Sequence, residues 1–533
     1  MNIQRGLMLM VSLVASISPS LGAKILCAMS SVINTPSQHI VMSAVTEPLV
    51  EAGHQVVLLA PKNKITKGLS TGAVTDKIFF ESSRTKAEHE EFMNNLTGVQ
   101  HQLSQSNPIA VFQLFRQHLH LLGEGCSNLF EDRATLDSLK KANFDLILTM
   151  PIVGCDALLA EYLKIPFILI SPARRSLVVT EDHFGIPVPS SYVPFSIISS
   201  FTQSDRMPFK DRLQNILIRC VAQPLIEFIT TYRLREIKKQ MNIRPDLTLR
   251  QLMGRAELAF VYLSFALDYP QPLAPNWISI GGITAKPSQP LTKNLEEFVE
   301  GSGEHGFIIF TLGSAVTSLQ NEGLAESIAK IFSELPQRVL WRYKGRRPDN
   351  VGNNTLISDW LPQNDLLGHP KARMMIYHGG AAGVYEATTH GVPLLLMPLA
   401  ADQMGNAARV EAKGFGRAVD KNTLTEEEFR EAVNDILTNP KYRTNAARAS
   451  AIMKDQLASP QETVVYWVEH VLKFGGGHLR SRALELNFLQ RESIDVVLFL
   501  LLVFLMVIFT VRWVVCSCCC RLCARRNTKS KKD

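Results

Sequence analysis

Trp360-Leu361-Pro362-Gln363-Asn364-Asp365-Leu366-Leu367-Gly368-His369-Pro370, and then Tyr377-His378-Gly379-Gly380-Ala381-Ala382-Gly383-Val384-Tyr385-Glu386, decide the fold of this chain. The apolar run 374–377 reads as a buried strand, and a helix starts near Val384. Glycines between a strand and a helix let backbone N–H groups approach a phosphate, and the helix N-terminus adds partial positive charge. Glu386 lies about one turn in, where a carboxylate can accept from two ribose hydroxyls. The next strand, 394–397, runs into Pro398, and Asp402-Gln403 follow. A carboxylate beside an amide suits a sugar with several hydroxyls. Trp360 offers a stacking face and Gln363 an amide for a base edge. The set describes a nucleotide-sugar site built without a metal cluster.

Working outward, residues 24–29 read as a short buried strand. A loop with Asn34, Thr35, Pro36 and Ser37 follows. A helix over 39–52 carries Val41, Val45 and Leu49 on one face, Gly53 ends it, and 55–60 is a second apolar strand. That is a βαβ unit, the beginning of a parallel sheet. Strand 144–148, helix 158–162 and strand 166–170 repeat the rhythm. The Pro-rich run 269–275, with Gly281-Gly282 after it, reads as a linker. The rhythm restarts with strand 306–312 ending at Gly313-Ser314, helix 323–333 and strand 338–341. The expected architecture is α/β: two Rossmann-like halves facing a cleft, with ligands at the carboxyl ends of the strands.

The chain has 533 residues, 56 Lys+Arg and 49 Asp+Glu, a formal net charge of +7. With 46% hydrophobic and 20% charged residues, wholesale disorder is excluded. Residues 494–515 hold only Asp495 and Arg512 as charges, and 496–511 hold none. As a helix they span about 33 Å, enough for a hydrocarbon core. From Arg512 onward there are seven basic residues and one acidic, so the other 511 residues carry about +1. The charge therefore marks membrane topology, with a cytosolic tail, and gives no indication of nucleic acid. Arg5, the apolar stretch 7–17 and Ser20-Leu21-Gly22 before Ala23 form a signal-peptide pattern.

The expected layout is a signal peptide (1–22), an N-terminal half (23–284), which a family resemblance assigns to acceptor binding, and a C-terminal nucleotide-sugar half (285–455). Helices that pack back toward the N-terminal half and the membrane (456–493), one transmembrane helix (494–515) and a basic tail (516–533) complete it. The body is expected in the endoplasmic-reticulum lumen, as a single-pass type I protein. Lys529 and Lys531 resemble a dilysine retrieval signal. Asn95 and Asn353 open sequons. The spacing of Cys27, Cys126, Cys155 and Cys220 leaves their pairing open.

These stretches, with His390-Gly391-Val392-Pro393 and Ala401-Asp402-Gln403, resemble the signature of the UDP-glycosyltransferases, and most of all its animal membrane-bound branch, the UDP-glucuronosyltransferases. The resemblance extends through Pro272-Leu273-Ala274-Pro275-Asn276 and Phe310-Thr311-Leu312-Gly313-Ser314 to the single span and basic tail. It implies the GT-B fold and an inverting transfer from a UDP-sugar to a small lipophilic acceptor, with no cofactor consumed and no metal bound. It further implies Trp360 and Gln363 on uracil, Glu386 on ribose, and Ser314, His378, Gly380 and Gly383 at the diphosphate. Asp402 and Gln403 fall on the sugar. The partners implied are the UDP-sugar, the acceptor and the membrane, with a homo- or hetero-oligomer admitted.

The sequence also departs from that family's pattern. The family base is a His whose ungapped position here is Gln38, with His39 next to it as the candidate catalytic base. The family's orienting Asp falls on Met150, and Asp156 is the nearby carboxylate. The family's phosphate-loop Asn is Ala382. Tyr262 stands where glucuronate-using relatives tend to carry an Arg, while Gln403 leans toward glucuronate or glucose. Two readings follow: an active transferase, with glucuronate the family default and glucose the alternative, or an impaired UDP-sugar-binding membrane homologue acting through a partner. The loops 94–122 and 174–209, which build the acceptor pocket, specify no single acceptor.

Overall fold

The computed structural model describes residues 22–30, 36–62, 72–83, 85, 88, 123–150, 154–171, 181–194, 204–313, 322–399 and 402–529. The expected signal peptide up to residue 21, Asn95 and Ser314 lie outside them. Residues up to Arg480 form one compact unit and those from Ser481 onward a second.

The first unit holds two all-parallel sheets. The first is built from β1 (Lys24–Ala28), β2 (Gln55–Pro61), β3 (Asp76–Phe80), β4 (Leu146–Thr149), β5 (Phe167–Ser171), β6 (Ala259–Val261) and β7 (Trp277–Ser279), in the order β3-β2-β1-β4-β5-β6-β7. The second contains β8 (Phe307–Thr311), β9 (Arg338–Arg342), β10 (Thr355–Ser358), β11 (Ala372–Tyr377), β12 (Leu394–Leu396) and β13 (Gly416–Ala418), in the order β10-β9-β8-β11-β12-β13. In both, the chain builds outward to one edge and then returns to the far side of the first strand, at β1/β4 and at β8/β11. Those are the switch points where α/β sheets bind ligands.

The strands read as continuous apolar runs because both faces are covered. In β8 every residue is buried. Phe307 and Ile309 face one core and Ile308 and Phe310 the other. In β1, Ile25 and Cys27 face that same shared core, and Leu26 and Ala28 face a third. One apolar core is therefore common to both sheets. It also takes in Val464, Val468 and Val471 of the helix Pro460–Phe474, which packs on the helix Pro36–Glu51.

Several expectations are corrected. The Pro-rich run is no hinge between halves, because β7 follows it and closes the first sheet on β6. Proline there caps a sheet edge rather than a domain. The helix after β1 starts at Pro36 rather than at residue 39, which puts His39 in its first turn. Cys126 pairs with Cys155, 5.6 Å apart at Cα, tying the helix Glu124–Glu131 to the helix Cys155–Leu163. Cys27 is buried and Cys220 exposed.

In the second unit the helix Ile494–Lys529 runs well past residue 515. No Gly or Pro interrupts it, so the start of the basic tail stays helical. Its stretch Ile494–Arg521 is 28 residues long and holds an 18-residue window with a mean hydropathy of 3.1, apolar and long enough to cross a membrane.

Candidate active site

The site is assembled at the carboxyl ends of β8, β11 and β12. Gly313 follows β8 and His378 follows β11, and the sheet order makes these neighbours. The contact is tight. A Cβ on Gly313 would fall 2.3 Å from His378 Cε1, and one on Gly380 would fall 2.6 Å from His378 Nε2. Gly313 also has a φ of +84°, which favours glycine. The two glycines therefore clasp the imidazole, and any side chain would displace it. Burial, and then the Arg342 guanidinium, push His378 down to about 3, so the ring is neutral at physiological pH. Its Nδ1 is buried without a hydrogen-bond partner. Such a polar atom beside a helix N-terminus fits a polar ligand such as a diphosphate. That helix, Ala381–His390, begins right after Gly380. Gly383 lies over the Tyr377 ring, where a Cβ would be 2.5 Å from Cζ, so its role is close packing of the helix on β11. Ala382 is half-buried in the same turn.

Trp360 follows β10 and is 68% exposed, with its ring open for stacking. Gln363 begins the helix Gln363–Gly368 and donates from Nε2 to Glu386 Oε2 at 2.6 Å. The residues expected on base and ribose are thus brought together, and a ribose diol would compete for the same carboxylate. Burial pushes Glu386 up to about 7; Asp365 adds to the rise and the Gln363 bond opposes it.

Asp402 precedes the helix Gln403–Lys413, and burial raises its carboxyl. It accepts from Asn406 Nδ2 at 2.8 Å, and Asn406 also donates to the Gly379 carbonyl at 2.7 Å. The sugar-end carboxylate is thus joined to the glycine loop through one amide. Gln403 accepts from the Leu399 N–H at 2.7 Å, which holds its side chain on the loop after β12.

Sequence reasoning missed the groups that brace this site. Arg342, at the end of β9, donates to the Gly313 carbonyl at 2.7 Å. Arg409 bonds Asn406 and pairs with Asp268 at 3.2 Å. Asp268 accepts from the Tyr385 hydroxyl at 2.6 Å. Asn406 sits one turn after Asp402 on the same helix face, a spacing that could have flagged it. Tyr262 is buried against Tyr385, ring centroids 4.5 Å apart, and bonds Thr284. It is a core residue.

At the first sheet's switch point, His39 is fully buried and Gln38 half-buried. Met150 is also buried, in the apolar core with Val41 and Met42. Asp156 is a buried carboxylate that accepts from Ser30 Oγ at 2.5 Å and from Thr149 Oγ1, the residues at the ends of β1 and β4. Among the described residues, Glu296, Glu300 and His369 are close enough together to hold a cation. Lys371 Nζ already neutralises Glu300 at 2.6 Å.

Two all-parallel Rossmann-like sheets, each with its switch point, are the GT-B glycosyltransferase fold. The kitacinnamycin glycotransferase shares this fold, with a TM-score of 0.58 at 16% identity over 85% of this chain and 99% of that one. The chain belongs to the UDP-glucoronosyl and UDP-glucosyl transferase family, whose model matches residues 28–532. It is 34% identical to UDP-glucuronosyltransferase 2B33 of Macaca mulatta, over 92% of this chain and 93% of that protein. It is 40% identical to UDP-glucuronosyltransferase 2A1 of Mus musculus, over 72% of each.

Proposed function

We propose that this UDP-glycosyltransferase moves glucuronate from UDP-glucuronate, with UDP-glucose the competing donor, to a small lipophilic acceptor with inversion at the anomeric carbon. The observation that carries this reading is the clasp of Gly313 and Gly380 on a neutral His378 at the start of the helix Ala381–His390. Charge developing on the leaving diphosphate would be stabilised there by helix N–H groups and the imidazole, which need no reorganisation. Trp360 stacks on uracil, Gln363 bonds its edge, Glu386 holds the ribose, and Asp402 with Gln403 the sugar hydroxyls. Ser314 completes the diphosphate contacts. No cofactor is consumed and no metal takes part.

His39 is the base that takes the acceptor proton, and Asp156 is the positioning carboxylate in place of Met150. The support is their common place at the β1/β4 switch point. The body lies in the endoplasmic-reticulum lumen, with the helix Ile494–Lys529 leading to a cytosolic end.

The test is UDP release from each donor with a panel of phenols, for the wild type, His39→Ala and Gln38→Ala. Loss of turnover by roughly a hundredfold or more is expected for His39→Ala alone. Full turnover in that variant would remove His39 as base, and binding of UDP without any turnover in the wild type would remove the enzyme reading. Protease digestion of a C-terminal tag in sealed microsomes tests the orientation.

A further inference from the structure

Five of the nine cysteines fall within residues 516–523: Cys516, Cys518, Cys519, Cys520 and Cys523. The transfer reaction uses none of them. The helix Ile494–Lys529 carries them out of the apolar span without a break. Residues 516–520 therefore lie within roughly 8 Å of Val515 along the helix axis. Cys516, Cys518, Cys519 and Cys520 are free and exposed. Cys516, Cys519 and Cys520 have the i, i+3, i+4 spacing of one helix face, and Cys518 falls on another.

Free cysteines mostly serve in one of two ways. They pack in a core as small hydrophobes, or they converge on a metal. These four do neither. All are exposed, and a straight helix spreads them around its surface. Among the described residues, the one set of His, Cys, Asp or Glu groups close enough to share a cation is Glu296, Glu300 and His369. The sulfurs therefore act singly, each open to a reagent at the end of the span. Arg512 precedes them and Arg521 follows, both exposed. Those cations hold this turn at the level of anionic lipid headgroups. A hydrocarbon chain attached to such a sulfur enters the acyl region directly.

We propose that the thiols of Cys516, Cys518, Cys519 and Cys520 are acceptor sites for S-acylation by a long-chain acyl-CoA thioester. The cysteine sulfur attacks the thioester carbonyl, a new C–S bond forms, and the bond to the CoA sulfur breaks. The proton lost by the cysteine ends on the CoA thiol, and nothing is oxidised or reduced. The modification rests on the cytosolic placement of this helix end, where reducing conditions keep thiols free. Its attached chains would fix the depth at which the helix leaves the bilayer.

The full chain, produced in animal cells fed an alkyne-bearing palmitate analogue, provides the test. Free thiols are blocked with maleimide, thioesters are cleaved with neutral hydroxylamine, and the thiols released are tagged with a polyethylene-glycol maleimide. Alkyne label and a ladder of hydroxylamine-dependent mass steps are expected. Both should vanish when all five tail cysteines are changed to serine, and both should survive Cys220→Ser. UDP binding by the five-serine variant checks that the catalytic body is intact. Absence of label, with the tail thiols open to an impermeant maleimide in sealed microsomes, would overturn the acylation itself. Absence of label with those thiols protected until detergent is added would overturn it through the orientation. Tail thiols that are blocked in the wild type but released by dithiothreitol or by a zinc chelator, not by hydroxylamine, would assign them to disulfides or to a metal instead.

Discussion

At the scale of single residues, the site's chemistry rests on charges held away from their usual values. On the proposed role, Glu386 accepts from both hydroxyls of a ribose diol when it is ionised, and burial holds its carboxyl up near 7. UDP affinity should therefore rise about tenfold between pH 6 and pH 8, and Glu386→Gln should bind weakly with a flat profile. Calorimetric titration in two buffers of different ionisation heat reads both the affinity and the proton released. The same shift acts on stability with a definite sign. Between the unfolded value near 4.5 and about 7 the folded chain holds the extra proton, so this stabilising contribution is complete below the unfolded value. It is lost as pH rises through about 7.

Gly380 makes a second residue-scale case. Its φ of −62° suits alanine, so Gly380→Ala adds no backbone strain and tests the contact with His378, the Tyr377 hydroxyl lying 3.1 Å from the added Cβ. Overpacking there should cost about 1–3 kcal/mol in thermal unfolding and lower UDP affinity, since the imidazole must move. Sequence motifs located His378 after a strand and Glu386 in the helix that follows, because strand–glycine–helix order is local. They did not show Arg342, whose relation to Gly313 exists only once β8 and β9 lie side by side.

Among the elements, the βαβ units were legible, and of the three-residue strands only β12, expected at 394–397, was. β1, β2 and β11 announce themselves as apolar runs, and β8 was expected within one residue of its observed start. β6, β7 and β13 have three residues each and offer too few positions for any period to appear. β7 was hidden further by the prolines before it, which imitate a linker. The helix Cys155–Leu163 illustrates what sequence order leaves undetermined, because its disulfide partner lies 29 residues away, and the four cysteines ahead of residue 494 allow several pairings. Cys126→Ser should lower stability by about 2–5 kcal/mol, read as loss of folded protein in a thermal melt under non-reducing conditions. Because Cys155 precedes Asp156, that variant should also lose turnover beyond what its stability explains.

For the molecule as a whole, the two sheets are joined by a buried polar network as well as by apolar contact. Arg409 and Asp268 come from different halves and are both buried. Removing one partner strands a charge, so Asp268→Ala should destabilise by about 3–5 kcal/mol. Arg409→Met combined with Asp268→Leu should cost less than the single change, and a denaturant double-mutant cycle measures the difference. The two-sheet architecture was readable from the restart of the strand–helix rhythm. This network was not, because no sequence pattern announces a contact between residues 141 positions apart. The helix Pro460–Phe474 carries a further consequence for how such chains diversify. It follows the second sheet in sequence yet packs on the helix Pro36–Glu51, and its Val464, Val468 and Val471 share one buried apolar cluster with Val41 and Val45. A hybrid that grafts a new first half onto an old second half inherits a mismatched seam unless residues 460–474 travel with the graft.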